Sequence, residues 1–385
     1  MKRILIVGSW RTAHITRFLR VLCSHKDDDL IIDAYDPCYE TGQINTCGVN
    51  SVYRVKVNKL EKALFSIRKI GTYFLLKRKA YTLSQILKHN HYDLVNFHFI
   101  PSNVLDMVKV CKRGHTKVML TPLGSDVLRV GSFSRYFIKK AFAIADYVSF
   151  NTSTGFCKDV MAKYSISSAK IRHMSYGSEV FSAILKMKGR HSRTEYSHML
   201  SIDNSCYNIV CGYNASKAQR HEAIILALAK IKDSLPQGYQ IIVPLSYGAD
   251  KELIKHNINE INKSYNLNIC YIEYYLTVEQ VSALRLLTDL FIHVQTTDAY
   301  NASLQEFLLA GATCINGAWL KYPSLENNGL PYLTCDKLDN LSDCLKQVFD
   351  KQVHPSIHPS TILEIQSNSW EHRIQDWLSF YSRVK

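Results

Sequence analysis

The sequence predicts an α/β protein built as two doubly wound parallel sheets that face each other. Three observations carry this. Apolar runs of four to seven residues alternate with longer stretches of helical periodicity, the pattern of a parallel sheet wrapped by helices. The cycle runs once, breaks in a polar stretch, and runs again. The chain has 385 residues, more than one hydrophobic core usually supports.

The first cycle opens with RILIV at 3–7, a buried strand followed by Gly8 and a helical pattern from Thr12 to Cys23. LIIDAY (30–35), DLVNFHF (93–99), KVMLT (117–121) and DYVSF (146–150) are the next strands. The second cycle starts with YNIVCGY (207–213) and continues through YQIIVPL (239–245), ICYIEYY (269–275), LFIHV (290–294) and ATCIN (312–316). Between the cycles, Lys186 to Asn204 has no clear apolar period and reads as a linker. Near the end, Trp370, Ile374, Trp377 and Leu378 stand at helical spacing, an amphipathic closing helix. The expected division is 1–185, a linker at 186–205, 206–365, and a closing helix at 366–385 that returns toward the first domain.

Composition is globular, 46% hydrophobic and 21% charged, with no low-complexity tract and no internal repeat. No apolar run approaches the ~20 residues of a membrane span. The apolar run at Ile4 to Val7 is too short for a signal peptide. The 11 cysteines include no Cys-x-x-Cys pair, so reduced thiols are expected. His25, Cys38 and Cys47 are too loosely spaced for zinc, and DDD at 27–29 precedes its strand, at the wrong end of the sheet for a ligand. No metal site is expected. Net charge is +14, and it is uneven. Residues 1–180 hold 28 Lys/Arg against 13 Asp/Glu, whereas 206–385 hold 15 against 18. The first half alone therefore calls for an anionic partner: membrane lipid, a phosphorylated substrate or nucleic acid.

Ligands of doubly wound sheets sit at the carboxyl ends of the strands, where helix N-termini point at them. The candidates are therefore the residues just past each strand. After LFIHV, Gln295 to Ala302 lead into a helix expected from about Ser303 to Ala310, with Gly311 at its C′ position. Glu306 stands in the first turn, where a carboxylate can accept hydrogen bonds from a ribose diol. Backbone N–H groups from Ala302 to Leu304 suit a phosphate. Asp298 lies across the mouth, able to bind another hydroxyl pair. On spacing alone, Ser303 as N-cap with Glu306 at N3 is an equally available capping box.

The second candidate is CGYNASKAQRHEAIILAL (211–228). Gly212 leaves the strand, Asn214 follows, and Lys217, Gln219, Arg220 and His221 precede an apolar helix. Cations beside a helix N-terminus suit a diphosphate; a solvated basic turn is the alternative. The third is TPLGSDVLR (121–129), where Asp126 is a base, a hydroxyl ligand or an N-cap. His98, alone at a strand end, reads as packed core. SYGSE (175–179) closes the first domain with Gly177 at a tight turn.

Taken in order, these segments resemble the GT-B glycosyltransferases of the large family-4-like group, retaining sugar transferases from bacteria. DLVNFHF resembles their D-v-v-H-x-H strand and TPLGSDVL their HGSD turn. ADYVSFNTS (145–153) with KIRHMSYGSEVF (170–181) resembles their AD…ki…yGvd…F segment. CGYNASKAQRHEAIILALA occupies the place of their GR…KG loop, and DAYNASLQEFLLAGA fits their E-x7-E motif. The last match is the most specific, because the flanking TDLFIH and LLAGA also agree.

The resemblance implies a GT-B fold with a C-terminal crossing helix. It implies Glu306 on the nucleotide ribose and Asp298 on sugar hydroxyls and the leaving diphosphate region. Lys217 or Arg220 takes the diphosphate, and Asn301, Ala302 and Ser303 form the backbone phosphate cradle. Gly8, Gly212, Asn214 and His221 complete the expected donor-binding set, and Asp126 joins Asp298, Glu306 and Lys217 as expected catalytic residues. Four positions depart from the family pattern. Asp298 replaces a Glu; Asn301 replaces a Gly and also tolerates positive φ; Tyr213 replaces the Arg of GR; and Leu123 replaces the His of HGSD, which leaves the donor's orientation open.

The expected activity is transfer of a sugar from a UDP- or GDP-linked donor to a saccharide acceptor. The acceptor is expected to be lipid-linked, as in bacterial O-antigen or capsule assembly. Retention is implied by the resemblance, protein cations stand in for a metal, and no cofactor is expected. Residues 54–88 hold 10 Lys/Arg and one acidic residue, Glu61, interleaved with Leu60, Leu64, Ile67 and the YFLL run at 73–76. This is a basic amphipathic surface for anionic lipid, or a core-facing helix pair with a solvated basic face. The expected location is cytoplasmic, peripheral on the inner face of the membrane. Two other classes share the pattern: a nucleotide-sugar 2-epimerase, which needs no acceptor, and a non-catalytic binder of anionic ligands. No aromatic-basic nucleic-acid motif accompanies the basic face, so no nucleic-acid partner is expected.

Overall fold

A computed structural model describes residues 1–10, 13–38, 46–65, 67–101, 104–150, 155–299, 302–350 and 353–384, with side chains omitted at 13, 64 and 68–70. The chain forms two compact units. Met1–Gly177 with Trp370–Lys385 is the first, and Ser178–Ser369 is the second.

The first unit is a seven-stranded sheet: β1 (Lys2–Val7), β2 (Leu30–Asp36), β3 (Ser51–Arg54), β4 (Leu94–His98), β5 (Lys117–Thr121), β6 (Tyr147–Phe150) and β7 (Ile171–His173). Their order is β3-β2-β1-β4-β5-β6-β7, and every pair is parallel. The second unit has six: β8 (Tyr207–Cys211), β9 (Tyr239–Pro244), β10 (Ile269–Ile272), β11 (Leu290–His293), β12 (Thr313–Gly317) and β13 (Leu333–Cys335). Their order is β10-β9-β8-β11-β12-β13, again all parallel. Sheets covered on both faces need strands apolar on both sides. Ile4, Leu5, Ile6 and Val7 are accordingly all buried, as are Leu290, Phe291 and Ile292. In both sheets the strand order reverses once near the middle, between β1 and β4 and between β8 and β11. These are the switch points at which doubly wound folds open a ligand crevice.

The stretch 186–205 is not a linker. The helix Glu179–Met187 runs into it, the helix Arg193–Leu200 fills its centre, and both belong to the second unit. A capping box starts the second helix: Ser192 Oγ accepts from the Glu195 N–H at 3.2 Å, and Glu195 Oε2 accepts from the Ser192 N–H at 2.6 Å. Tyr196 and Leu200 join the core on one face of the second sheet, and the Tyr196 hydroxyl donates to the Met187 carbonyl at 2.7 Å. Two buried apolar residues on a short helix leave almost no period to read. The unit boundary therefore falls at Gly177 and not at 185.

The closing helix is Trp370–Arg383, and residues 366–369, expected within it, stay with the second unit. It packs on the helix Ala13–His25 and on β1. Trp370, Ile374, Trp377 and Tyr381 share a core with Phe18, Leu19 and Leu22. The Trp377 indole N–H donates to the Ser175 carbonyl at 2.9 Å. Beneath it Asn96 donates to the Tyr381 hydroxyl (2.7 Å), Thr121 to Asn96 Oδ1 (2.8 Å) and Ser149 to Thr121 (2.8 Å), a buried polar ladder across three strands. All eleven cysteines are free. Among the described residues no helix is long and apolar enough to cross a membrane.

Candidate functional site

The second sheet's switch point holds the densest polar chemistry. Gly212 leaves β8 with φ 66°, and a Cβ there would lie 2.9 Å from His221 Nε2 and 3.0 Å from Gln219 Oε1, so only glycine fits. The loop it opens is braced from β9. Ala215 N–H donates to the Tyr247 carbonyl (2.7 Å), Asp250 N–H to the Ala215 carbonyl (3.0 Å), and Lys217 N–H to Asp250 Oδ2 (3.0 Å). The Lys217 side chain is exposed beyond this brace.

Arg220 closes the loop at φ 62°, a left-handed conformation that costs a non-glycine residue about 1–2 kcal/mol. The strain turns its guanidinium over the Trp319 ring, 5.0 Å from the centroid, with Nη1 3.4 Å from the Val294 carbonyl. Trp319 is itself fixed. Its indole N–H donates to the Gln295 carbonyl at 2.7 Å, and its ring lies across Gly317, where a Cβ would come within 2.5 Å. Gln295 Oε1 accepts from Gln219 Nε2 (2.8 Å) and from the Tyr213 hydroxyl (3.2 Å).

Four side chains of this network end in buried atoms without a hydrogen-bond partner: Gln219 Oε1, Gln295 Nε2, Asn214 Oδ1 and both ring nitrogens of His221. Buried polar atoms are rarely left unpaired. Their concentration around one strand-exit glycine marks a place prepared for a polar ligand. His221 departs from its expected role as a cation. It is fully buried, and burial pushes its pKa down to about 4 against the opposing charge of Glu222, so the ring is neutral and lies beneath Gly212.

Across the crevice, the helix Ala302–Ala310 begins at Ala302. Ser303 is therefore inside its first turn and is not an N-cap, which removes the capping-box reading of Glu306. The carboxylate has other partners. Oε1 accepts from the Ser178 hydroxyl at 3.0 Å, and Oε2 from Arg285 Nε at 3.1 Å. The two side chains of the ion pair are 7% and 6% exposed. Arg285 also lies 4.2 Å from the Phe307 ring centroid and has Nη2 3.5 Å from Ser303 Oγ. Glu306 is therefore a buried, oriented carboxylate, not an open one, and Oε1 keeps acceptor capacity for a further hydroxyl. Asn301 lies outside the described residues.

Asp298 is half-buried and accepts from the Tyr322 hydroxyl at 2.7 Å. That hydroxyl stands 3.1 Å from His293 Nε2. Since the phenol gives its one proton to the carboxylate, His293 must donate from Nε2, which assigns its tautomer. Burial pushes the His293 pKa down to about 3, so the donor is a neutral imidazole. The chain His293 to Tyr322 to Asp298 aims one carboxylate oxygen. On the far side of β8, Pro244 and Ile272 are register partners, and Tyr247 and Tyr275 each stand three residues further along, 53% and 60% exposed. Two exposed aromatics thus flank the same end of the sheet.

The expected residues of the first unit behave differently. Gly8 is buried at the end of β1, where a Cβ would meet Ile15 at 2.8 Å; its smallness serves helix packing. His98 is buried between Phe18 (4.7 Å) and Trp377 (5.6 Å), and its Nδ1 is hydrogen-bonded to the Tyr176 hydroxyl. Burial pushes its pKa down to about 3. Asp126 accepts from the backbone N–H groups of Ile100 (2.7 Å), Leu123 (3.1 Å) and Gly124 (2.7 Å). Burial raises its carboxyl pKa against those donors. Its oxygens staple a loop and are not open to a substrate, and it is not the N-cap of its own short helix, which is Gly124. Among the described residues no three His, Cys, Asp or Glu side chains stand together as a metal site.

Arg285, Gln295, Trp319, Tyr322 and Ser178 were not singled out by sequence. Only Arg285 left a signal: a lone cation inside VSALRLL, an apolar helix that must bury it beside a carboxylate.

Residues 43–152 match the family model described as glycosyl transferase 4-like. The fold is that of the GT-B glycosyltransferases. A glycosyltransferase from Rickettsia africae matches with TM-score 0.74 at 13% identity, covering 100% of this chain and 98% of that one. An Anabaena protein in complex with UDP and glucose matches with TM-score 0.69 at 12% identity over 99% and 100%. A lipopolysaccharide outer core galactosyltransferase matches with TM-score 0.66 at 13% identity over 99% of both. No curated protein matches the chain by sequence.

Proposed function

We propose that the protein transfers a sugar from a nucleotide diphosphate sugar to a saccharide acceptor. The observation that carries this is the strained Arg220 held on Trp319 beside the unpaired polar atoms of Gln219, Gln295 and Asn214. The nucleotide occupies the second unit's crevice, with Glu306 on a ribose hydroxyl and the Ala302 helix start, Lys217 and Arg220 on the diphosphate. Preorganised donors aimed at a leaving group are commonly the largest catalytic contribution, one well-placed donor being worth ~3 kcal/mol. Asp298, aimed by Tyr322, meets the sugar. The pairing of UDP and glucose with the Anabaena structure supports a UDP-linked donor.

The acceptor is a lipid-linked saccharide bound by the basic first unit, which sits peripherally on the inner face of the membrane in surface polysaccharide assembly. The charge of residues 54–88 and the similarity to a lipopolysaccharide galactosyltransferase support this part. A thermal-shift screen with UDP, GDP and their sugars tests the donor. A ligand at 100 times its Kd adds ~2.7 kcal/mol to stability, and a flat response to every nucleotide sinks the reading. Interconversion of the sugar without an acceptor would point to an epimerase instead.

A further inference from the structure

We propose that the helix Ser132–Ile144 is a membrane anchor that seats the first unit on an anionic lipid bilayer. Its inner stripe, Ile138, Ala141 and Phe142, is buried. Its outer face is not that of an ordinary solvated helix. Phe133 is 80% exposed and Tyr136 is 56% exposed. Phe137 joins them, its ring 4.9 Å from Phe133 and 5.4 Å from Tyr136. Arg135, Lys139 and Lys140 interleave with these rings, and Lys140 Nζ sits 4.3 Å from the Tyr136 centroid. No acidic residue occurs between Val130 and Ala145, and among the described residues none of the three cations is ion-paired.

The neighbouring basic helices are less free. The helix Arg68–His89 packs on the helix Val104–Arg113, which in turn packs on the anchor. On that side Lys77 is paired with Asp106 at 3.0 Å, and Arg78 with Glu61 at 3.3 Å. Side chains there are exposed too, Leu60 at 82%, Ile67 at 50%, Tyr73 at 58%, Phe74 at 45% and Tyr81 at 55%, but the cations over the Tyr73 and Tyr81 rings are the ion-paired Lys77 and Arg78. On Ser132–Ile144 the most exposed ring of the described residues, Phe133, and three cations without an ion pair lie on one helix.

Aromatic rings with interspersed cations and no carboxylates match the headgroup region of an anionic leaflet, where rings insert and cations meet phosphate. Leu60 and Ile67 on the adjoining side, 82% and 50% exposed, gain from the acyl boundary of a bilayer and not from a nucleic-acid backbone, which favours lipid over nucleic acid. The proposal rests on the peripheral-membrane part of the function proposed above and is independent of its donor chemistry.

The test is sedimentation of the full chain with phosphatidylcholine vesicles, with and without phosphatidylserine, at low and high salt. The wild type should bind the phosphatidylserine vesicles and release at high salt. Phe133→Ser with Tyr136→Ser should weaken binding about tenfold or more, and Lys139→Gln and Lys140→Gln about fivefold each, with the circular dichroism unchanged. Leu60→Ser is the comparison on the other helix, with a smaller expected loss. Wild-type binding by the Phe133/Tyr136 variant overturns the proposal while the membrane reading stands. Failure of the wild type to bind any vesicle overturns both, and so does tight binding to an oligonucleotide without vesicle binding. A nucleotide-dependent thermal shift, read in parallel, reports separately on the transferase reading.

Discussion

The two units share a strand order and differ in what occupies the crevice where that order reverses. In the first, the strand exits are lined by packed rings: Gly8 lies against Ile15, and His98, its Nε2 without a partner, is closed between Phe18 and Trp377. In the second, the corresponding strand exits end in unpaired amides and a strained arginine. Topology thus offers two equivalent switch points, and their side chains differ in chemistry. The first unit spends its switch point on stability, and its distinctive chemistry moves to the outer helices. The second keeps its switch point polar at a cost in unpaired hydrogen bonds.

The sharpest way to break this comparison is to remove one member of each arrangement. Trp377→Ala should destabilise the first unit by about 3–5 kcal/mol, as large aromatic truncations in packed cores do, and leave nucleotide affinity intact below the transition. Glu306→Ala should cost about as much in the second unit, because it strands Arg285 in a buried site. Urea unfolding followed by tryptophan fluorescence and by nucleotide binding separates the two. If Trp377→Ala abolished UDP binding under folding conditions, the division of labour would be wrong.

Glu306→Gln keeps the shape and much of the hydrogen bonding, so it isolates the charge. Affinity for UDP should fall roughly 10- to 100-fold, the value of hydrogen bonds to a charged group, by isothermal titration. Unchanged affinity would remove Glu306 from the ribose. Tyr322→Phe is milder. It takes the aiming hydroxyl from Asp298, so turnover of a nucleotide sugar should drop about tenfold while UDP affinity holds. A loss of UDP affinity of the same size would mean that Tyr322 supports the whole crevice and not Asp298.

The smallest effect is in pH. His98, His221 and His293 are held neutral in the fold, their pKa values lowered from 6.5 to about 3, 4 and 3. A lowered histidine pKa means the unfolded chain binds the proton first. The stability is therefore complete above pH 6.5 and is lost as pH falls from there toward 4. From pH 7 to pH 6 each ring should cost under about 1 kcal/mol. Two of the three lie in the second unit, so that unit should be the more acid-sensitive, and His221→Asn should flatten its slope. Equal slopes in wild type and variant would contradict the burial argument.

Strands were legible because sheets buried on both faces leave continuous apolar runs such as LFIHV. The helix Arg193–Leu200 was not, since its stability comes from a capping box and two buried residues. Its SRTE start was present in the sequence all the same. In the site, the positions of Glu306 and Asp298 past a strand were readable from order along the chain. Their partners were not, because Arg285, Tyr322 and Ser178 reach them from distant segments. Asp126 shows the opposite error. Residue type suggested chemistry, and burial turned it into a loop staple.

The closing helix has a consequence for biosynthesis. Residues 178–369 separate the two pieces of the first unit, and at ribosomal rates of ~5–20 residues per second that interval lasts about 10–40 s. Throughout it, the Phe18 face waits without Trp370 and Trp377. A nascent chain of this protein therefore carries an uncovered apolar surface until the helix Trp370–Arg383 emerges. A chaperone that holds that face would govern how much folded protein a cell obtains.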